Sequence, residues 1–289
     1  MLPRQLTILG VGLLGGSIGL AVRSAAPDCR IVGFGHRLST LNRALEIGAI
    51  DRLDLDPVSS VAGSDLVILC TPVGLFGQIL GRISSALSPG ALLTDVGSTK
   101  RSVVRLAQSH LPKDVDFVAS HPIAGSEKRG VEFSRADLFH NQLCIVTPTP
   151  KTNPSALDRM EQFWRLLGMR TARLSPEDHD RILADVSHLP HLLAAALVAM
   201  QDDAALEFSG KGFLDTTRIA GGDGALWRDI FLDNADSLKA GLRRLRDQLT
   251  RVEEMLDAKS GDALRDWLNA AAERRTKLLE KKLREINPD

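Results

Sequence analysis

Residues 6–21 read LTILGVGLLGGSIGLA, and this stretch decides the fold. A short apolar run, typical of a buried strand, leads into glycines spaced G-x-G-x-x-G and then into a segment of helical character. The first glycine permits a tight turn, the second lets a pyrophosphate approach the main chain, and the third lets helix and strand pack closely. The helix N-terminus offers unpaired N–H groups to an anion. The stretch therefore predicts a dinucleotide-binding loop, whose predicted cofactor-binding residues are Gly10, Gly12, Leu13, Leu14 and Gly15.

Five further apolar runs in the first half are typical of buried strands, because each is short, rich in Val, Ile or Leu, and bounded by turn residues. They cover residues 30–35, 65–72, 91–97, 115–120 and 142–148. Long connections between the first five of the six runs fit right-handed crossovers. After Pro176 the chain is rich in Ala and Leu, and no strand pattern returns. We therefore predict an α/β fold: a Rossmann-type, doubly wound, mostly parallel sheet over residues 1–174, followed by an all-α substrate and dimerisation domain over residues 175–289.

The composition limits what the protein binds. The 289 residues include 36 Lys and Arg against 36 Asp and Glu, so the formal net charge of zero predicts neither nucleic acid nor an anionic membrane as a partner. No apolar run reaches the length expected of a membrane-spanning helix. The three cysteines are an odd and sparse set, which predicts a reducing cytoplasm rather than a disulfide framework. The chain contains no tyrosine, which excludes any mechanism that needs a phenol as the proton donor.

The end of the second apolar run bears on the choice of cofactor. NAD-binding folds usually carry an acid there, which binds the ribose 2′-hydroxyl, but this chain reads GFGHR. Gly35 stands at the acidic position, and the arginine that follows can pair with a 2′-phosphate. The sequence therefore favours NADP over NAD, with His36 and Arg37 at the ribose and with Thr71 and Pro72 at the nicotinamide end.

Three polar segments are candidates for the chemistry: TDVGSTK (94–100), SHPIAGSE (120–127) and SHLPH (187–191). Because the carboxyl ends of parallel strands meet at one crevice, we expect Ser98 and His121 to converge beside the nicotinamide. Pro122 is expected to end the strand and to hold His121 at its mouth. Histidine has an ordinary pKa of about 6.5, so His121 suits a base that takes a proton from a carbinol as hydride leaves.

The histidines of the third segment also raise the question of a metal. His188 and His191, together with Asp178 or His179, have a spacing that permits metal ligation. Pro190 disturbs the helix, however, and no third firm ligand is evident, so we predict no metal site. The simplest role for His188 is a structural one at the start of the helix, and the sequence assigns it no other.

Five motifs together resemble the prephenate/arogenate dehydrogenase family of tyrosine biosynthesis. They are GVGLLGGSIGLA, DVGSTK, HPIAGSE, DHDRILADVSHLPH and GFLDTTRIAGGDGALWRDIFLDN, in this order and over nearly the whole chain. The resemblance implies an NAD(P)-dependent oxidative decarboxylation, in which a ring C4 hydroxyl is oxidised, carbon dioxide leaves and the ring becomes aromatic. It also implies a homodimer formed through the helical domains. By motif match, the catalytic residues are His121 and Ser98, and the substrate-binding positions are Ser187, His191, Arg218, Glu127, Asp215 and Trp227.

Two other classes of protein use a similar nucleotide fold. A β-hydroxyacid or imine reductase would need a lysine early in the helical domain, and residues 176–210 contain none. A non-catalytic NAD(P)-binding dimeric sensor would need the glycine loop but neither His121 nor Arg218. The sequence leaves open whether the substrate is prephenate or arogenate, and whether tyrosine inhibits the enzyme. With little chain after the helices, such inhibition is expected only at the active site.

Overall fold

The computed structural model describes residues 3–124 and 128–286, with side chains through residue 284. Six parallel strands form its main sheet: β1 (Gln5–Leu9), β2 (Arg30–Phe34), β3 (Arg52–Asp54), β4 (Leu66–Leu69), β5 (Leu92–Asp95) and β6 (Asp116–Phe117). Their order across the sheet is β3-β2-β1-β4-β5-β6. This order reverses between β1 and β4, which opens a crevice at the carboxyl ends of these strands. The predicted Rossmann-type sheet is confirmed.

Helices cover both faces of this sheet. They are α1 (Leu13–Ala25), α2 (Leu38–Glu46), α3 (Pro57–Ser60), α4 (Phe76–Ile83), α5 (Arg101–His110) and α6 (Pro154–Leu166). Successive side chains of β1 point to opposite faces, so Leu6 and Ile8 belong to one core and Leu9 to the other. All four residues of β4 are buried. Burial on both faces explains why the strands read as continuous apolar runs rather than as alternating ones.

A second sheet of three strands follows the first: β7 (Ala119–Ile123), β8 (Leu143–Thr147) and β9 (Arg170–Arg173). β7 is antiparallel to β8, and β8 is parallel to β9. The run 115–120 is therefore divided between two strands in two sheets. His121 lies within β7, opposite Ile145, and the expectation that Pro122 would end the strand is wrong. β7 is an edge strand of this sheet, where a residue without an N–H group is tolerated.

The region after residue 174 begins with one continuous helical segment. It consists of α7 (Pro176–Leu183), a π-helical turn (Ala184–His188) and α8 (Leu189–Ala199). Ser175 caps its start by accepting a hydrogen bond from the main-chain N–H of Asp178. The π-turn precedes Pro190, whose missing N–H interrupts the α-helical ladder. The N–H of Leu189 instead donates to the carbonyl of Ala184, five residues back.

This segment, Pro176–Ala199, is long and apolar enough to cross a membrane by length and composition, so the expectation that no run reaches that length is wrong. Four of its polar side chains are nevertheless buried against the rest of the fold: His179, Asp180, His188 and His191. Ionisable groups are costly in hydrocarbon. These buried polar groups tie the segment to the fold, although only 28% of its apolar window is buried within the chain.

The chain divides into two compact units, Met1–Ala235 and Asp236–Asp289. The first unit is completed by α9 (Asp203–Leu206), α10 (Lys211–Thr217), a 3₁₀ turn (Arg218–Gly221) and α11 (Gly224–Asp233). The second contains most of α12 (Ala235–Asp257) and all of α13 (Gly261–Ile286). No strand follows β9 in the described part of the chain, which confirms the all-α C-terminal region. The domain division at residues 174 and 175 falls inside the first unit and stays a prediction.

Candidate active site

The glycine loop predicted to hold the cofactor joins β1 to α1. Gly10 has a φ of +107°, a conformation that favours glycine, and a Cβ there would lie 2.8 Å from the main-chain nitrogen of Thr71. A Cβ on Gly15 would collide with the carbonyl of Gly10. Gly12 precedes α1, and a Cβ there would meet nothing within 4 Å. The tight turn and the close helix–strand packing are both present, and the open approach at Gly12 fits a pyrophosphate.

A cleft of about 550 Å³ lies beside this loop. Of the predicted cofactor-binding residues it is lined by Gly10, Gly12, His36, Arg37, Thr71 and Pro72, and not by Leu13, Leu14 or Gly15. Gly35 also lines the cleft, so no carboxylate stands at that position. The Thr71 hydroxyl is buried and has no hydrogen-bond partner among the described residues. A buried hydroxyl without a partner fits a polar ligand at this place.

Three polar residues that line the cleft escaped the sequence analysis: Thr40, Gln78 and Arg82. Thr40 lies on α2, and Gln78 and Arg82 lie on α4. Neither helix carries a recognisable motif, so only the fold reveals these residues. Arg82 pairs with Asp56 at 2.8 Å, and both side chains are about half exposed. Arg82 therefore adds a second guanidinium to the cleft beside that of Arg37.

A buried ion pair fixes the loop that follows β5. The Lys100 ammonium lies 2.6 Å from the Asp95 carboxylate, and neither side chain is exposed to solvent. Lys100 also donates to the carbonyls of Gly97 and Thr99, at 2.7 and 3.0 Å. The main chain on both sides of Ser98 is therefore held from beneath, while the Ser98 side chain itself is half-buried.

The same Asp95 carboxylate reaches the neighbouring strand β7. It accepts a hydrogen bond from the main-chain N–H of Ser120 at 3.2 Å, and the Ser120 hydroxyl accepts one from Thr94 at 2.9 Å. Ser120 immediately precedes His121. One carboxylate thus connects the loop of Ser98 with the residue before His121, and it fixes these two predicted catalytic residues relative to each other.

A row of hydrogen bonds reaches His121 from α7. The Nδ1 atom of His121 lies 2.9 Å from the Nε2 atom of His179, and the Nδ1 atom of His179 lies 2.9 Å from the Asp180 carboxylate. The same carboxylate accepts the main-chain N–H groups of Lys100 and Arg101, at 2.7 and 2.9 Å. Asp180 therefore binds the start of α5 and orients His179 at the same time.

The electrostatics of this row determine which of its atoms carry protons. Burial works against ionisation of Asp180, but hydrogen bonds from His179 and from the N–H groups of Arg101 and Lys100 outweigh it and lower the pKa of Asp180. Burial lowers the pKa of both histidines, and for His121 the neighbouring rings and Lys100 lower the pKa further. Both rings are therefore neutral at pH 7. With Asp180 ionised, His179 carries its proton on Nδ1 and accepts one from His121 Nδ1–H, so the Nε2 atom of His121 keeps its lone pair.

Asn234, fully buried at the end of α11, joins the same network. Its Nδ2 donates to the Asp180 carbonyl at 2.6 Å and lies 3.3 Å from the Nδ1 atom of His188. Its Oδ1 accepts a hydrogen bond from Arg101 at 3.4 Å. The Nε2 atom of His188 has no hydrogen-bond partner among the described residues. The network thus extends from α7 through Asn234 to the π-turn.

His191 and Trp227 form a stacked pair, with ring centroids 3.5 Å apart and an angle of 17° between the planes. The Phe231 ring lies 6.3 Å from that of His191 and 5.5 Å from that of Trp227. Burial lowers the pKa of His191, so its ring is neutral in the stack. A Cβ on Gly222 would lie 2.6 Å from the indole nitrogen, which leaves room only for glycine beside the pair. The fold therefore brings together two of the predicted substrate-binding residues.

The other predicted substrate-binding residues are less enclosed. Arg218 begins the 3₁₀ turn, and its side chain is exposed, as is that of Asp215 on α10. Ser187 lies in the π-turn and is half-buried. Glu127 lies outside the described residues. Within residues 3–124 and 128–286, no group of three or more His, Cys, Asp or Glu side chains is arranged to hold a metal ion.

The partners of His121 were not predicted. The sequence offered His179 only as a possible metal ligand, and Asp180 and Lys100 stood only within quoted motifs. One feature of the sequence could have indicated them: the triplet Asp-His-Asp at residues 178–180, near the start of an apolar helix. A helix face in contact with solvent does not need a histidine at this place. Its spatial partner, 58 residues away, could not be read from spacing.

Comparison with known proteins identifies the family. Residues 18–173 match the family profile described as Prephenate dehydrogenase, nucleotide-binding domain, and residues 175–270 match Prephenate dehydrogenase, dimerization domain. The prephenate dehydrogenase of Bacillus subtilis is 37% identical over 80% of this chain, and the match spans 64% of that protein. The cyclohexadienyl dehydrogenase of Zymomonas mobilis is 32% identical over 90% of this chain and 91% of that protein.

A solved structure agrees with these matches. Prephenate dehydrogenase from Aquifex aeolicus, in complex with hydroxyphenyl propionate and NAD+, aligns with a TM-score of 0.90 and 33% identity, over 95% of this chain and 98% of that one. The chain therefore belongs to the prephenate dehydrogenase family and is an NAD(P)-dependent dehydrogenase of tyrosine biosynthesis.

Proposed function

We propose that this chain catalyses the NAD(P)-dependent oxidative decarboxylation of prephenate to 4-hydroxyphenylpyruvate, of arogenate to tyrosine, or of both. The observation that carries the proposal is the row Asp180–His179–His121, which leaves the Nε2 atom of His121 as a base. The Asp95 carboxylate ties Ser120, the residue before His121, to the loop of Ser98. The two substrates share the ring hydroxyl and the ring carboxylate on which the chemistry acts. The same residues can therefore serve either one.

The reaction needs one proton acceptor and returns its proton. The nicotinamide ring, when bound, supplies the hydride acceptor. The Nε2 atom of His121 takes the proton of the C4 hydroxyl as hydride leaves C4, and the C4 carbonyl forms. The bond between C1 and its carboxylate then breaks, carbon dioxide leaves, and the electron pair passes through the ring to the C4 oxygen. That oxygen regains the proton held by His121, which yields the aromatic phenol.

Each neighbour of His121 has a distinct part in this step. When His121 holds the substrate proton, its Nδ1–H points to His179, and the Asp180 carboxylate behind His179 stabilises the positive charge. Ser98 supports the hydroxyl that His121 deprotonates. His191, Trp227 and Arg218 bind the remainder of a substrate that carries two carboxylates, for which a planar guanidinium is suited. Ser187, Asp215 and Glu127 complete the proposed substrate-binding set.

We propose NADP as the preferred cofactor. The cleft offers no carboxylate at Gly35, whereas His36, Arg37 and Arg82 line it. A 2′-phosphate would gain charge-assisted hydrogen bonds there, and a carboxylate that favours the free hydroxyl of NAD is missing. Steady-state kinetics with both cofactors test this point. A higher kcat/KM with NAD than with NADP would contradict it.

We propose that the enzyme is a homodimer formed through residues 175–289, with the nucleotide bound by residues 1–174. The helical region exposes large apolar side chains, which include Val186, Met200, Phe208, Leu214 and Leu232 in the first unit and Leu249, Leu256 and Leu268 in the second. Apolar faces of this kind are covered by association. Sedimentation equilibrium should give about twice 31.3 kDa, and a monomer at micromolar concentration would contradict the proposal. The free thiols Cys29, Cys70 and Cys144 fit the cytoplasm as its location.

The test of the proposed chemistry is His121→Ala. Removal of the general base should lower kcat by about 10²–10⁴-fold, while cofactor and substrate still bind. His110→Ala is the matched control, because His110 is a histidine at the distal end of α5 and contacts only Ser109 and Leu106 in the described hydrogen bonds. A His121→Ala enzyme that keeps more than half of the wild-type kcat would show that His121 is not the base.

A further inference from the structure

Helix α11, which carries Trp227 in its first turn, is attached to the rest of the first unit at both ends. At its C-terminal end the Ser102 hydroxyl donates to the Asp233 carboxylate at 2.6 Å. At its N-terminal end the Asp223 carboxylate lies 2.7 Å from the Arg129 guanidinium. The end that carries Trp227 is therefore joined by an ion pair to a segment that precedes the helical region.

Asp223 is placed to pass a change of position on to Trp227. Its carboxylate caps α11 by accepting the main-chain N–H groups of Ala225 and Leu226, at 2.7 and 3.2 Å. Its carbonyl accepts the main-chain N–H of Trp227 at 2.9 Å. Trp227 in turn stacks on His191. A shift of Asp223 would therefore move the indole relative to the imidazole.

Arg129 belongs to a segment that is packed on the start of α1. The next residue, Gly130, lines the cofactor cleft, and its φ of +94° favours glycine. Val131 is buried, and the Ser134 hydroxyl donates to the carbonyl of Leu13 at 3.2 Å. A cofactor that fills the cleft would meet Gly130 and would hold the main chain next to Arg129.

The ion pair itself lies at the surface, where the side chains of Arg129 and Asp223 are 57% and 36% exposed. Such pairs contribute little to the stability of a fold, because solvent screens the charges and both side chains lose freedom. A ligand that already orders one partner lowers this entropic cost. The pair is therefore suited to respond to a ligand rather than to stabilise the fold.

We propose that the Arg129–Asp223 pair couples the cofactor site to the substrate site, so that bound cofactor raises the affinity for substrate. The cofactor holds the segment at Gly130, Arg129 then holds Asp223, and α11 keeps Trp227 in the position that the substrate meets. Arg129 is a positioning residue, since it acts through Asp223. The inference rests on the proposed function, because it takes His191 and Trp227 as substrate-binding residues.

The experiment measures the dissociation constant of hydroxyphenyl propionate, the ligand of the related solved structure, with and without saturating NADP or NAD. In the wild-type enzyme the cofactor should lower this constant at least about fivefold, and hydroxyphenyl propionate should lower that of the cofactor by the same factor. Arg129→Met should reduce the factor to below about twofold, with the affinity for cofactor alone changed by less than about threefold. Its melting temperature should fall by no more than about 4 °C.

Two further variants show whether the effect passes through the pair. Asp223→Asn removes the charge but keeps an oxygen that can cap α11, so it should lose the coupling as Arg129→Met does. The double variant should lose no more than either single one. Arg135→Met is the matched control, because Arg135 pairs with Asp137 at 3.3 Å in the same segment, with side chains 63% and 67% exposed. Its coupling factor should equal that of the wild type.

Three outcomes would overturn the inference. They are a wild-type enzyme without coupling, an Arg129→Met enzyme with the wild-type factor, and an Arg129→Met enzyme that binds either ligand alone more weakly, which would indicate direct contact with that ligand. Trp227→Ala distinguishes this failure from that of the proposed function, since it should weaken the binding of hydroxyphenyl propionate at least about fivefold. If it does so and Arg129→Met keeps the wild-type factor, the inference alone fails. If Trp227→Ala binds as the wild type does, the proposed substrate site fails and the inference fails with it.

Discussion

Replacing Lys100 by methionine should destabilise the protein by about 3–5 kcal/mol, because it removes one partner of a buried ion pair. Methionine keeps most of the side-chain volume, so the loss would not come from a cavity. Among the described residues, Asp95 would keep the N–H groups of Gly97 and Ser120 as donors, at 2.8 and 3.2 Å, in a position without solvent. An uncompensated carboxylate in such a place is the source of the penalty.

The assay is thermal unfolding by calorimetry at pH 7. About 2–4 °C of melting temperature per kcal/mol applies to chains of this size, so the predicted loss corresponds to about 6–20 °C. Arg43→Met is the control, since its partner Glu46 is 63% exposed and such surface pairs contribute at most about 1 kcal/mol. The double variant Asp95→Asn with Lys100→Met removes both charges and should recover part of the loss. A single variant within 2 °C of wild type, or a double variant no more stable than the single one, would refute the reasoning.

Three further predictions follow from the cofactor cleft, the substrate residues and the buried histidines. Gly35→Asp should lower the ratio of kcat/KM for NADP to kcat/KM for NAD. The fold should accept the change, because the added Cβ lies 3.3 Å from a terminal methyl of Leu41, which can shift. If the ratio does not change, Gly35 does not lie at the ribose. Arg218→Ala should raise the KM for substrate at least about tenfold with little change in melting temperature, because one charge-assisted contact contributes about 1.5–3 kcal/mol. Arg218→Lys should recover only part of the loss, since lysine lacks the planar fork. An unchanged KM in both variants would remove Arg218 from the site. The free energy of unfolding should fall as pH falls from 6.5 to 4 and should stay flat above pH 6.5. The pKa of His188 is about 4 in the folded chain and about 6.5 in the unfolded chain, so between these values the unfolded chain binds a proton that the folded chain does not. His188 alone contributes about 3 kcal/mol to the total change in unfolding free energy between pH 6.5 and 4. Urea titrations of the His188→Gln variant should show a smaller change over the same range.

The parts of the fold that the sequence predicts are those whose causes are local. The spacing of the glycines between β1 and α1 is typical of one kind of turn, and the short apolar runs of β1, β2, β4 and β5 are buried on both faces. β3 escaped prediction because it has three residues, of which Arg52 and Asp54 are charged. The run 115–120 changes from one sheet to the other without a turn signal, so its division could not be read from composition.

The candidate site could be predicted only in part for a related reason. Ser98 follows β5 of the parallel sheet, which places it near the crevice, whereas His121 follows an apolar run in the sequence but lies within β7 of the second sheet. The partners of His121 come from α7, and their approach depends on how the helical region packs on the sheet. No periodicity encodes that a carboxylate at position 180 will accept the N–H groups that begin α5. The sequence predicts the proposed base but not the residues that orient it.

The π-turn before Pro190 has a consequence for insertions and deletions. A π-turn contains one residue more than an α-helical turn, and each residue of an α-helix advances the chain by about 100°. Deleting one residue from Ala184–His188 would let this turn become α-helical within the same full revolution, so α8 would keep its orientation and His191 its stack on Trp227. The same deletion in a regular α-helix would rotate every following residue by about 100°. The π-turn therefore lets this segment lose a residue without turning His191 away from Trp227.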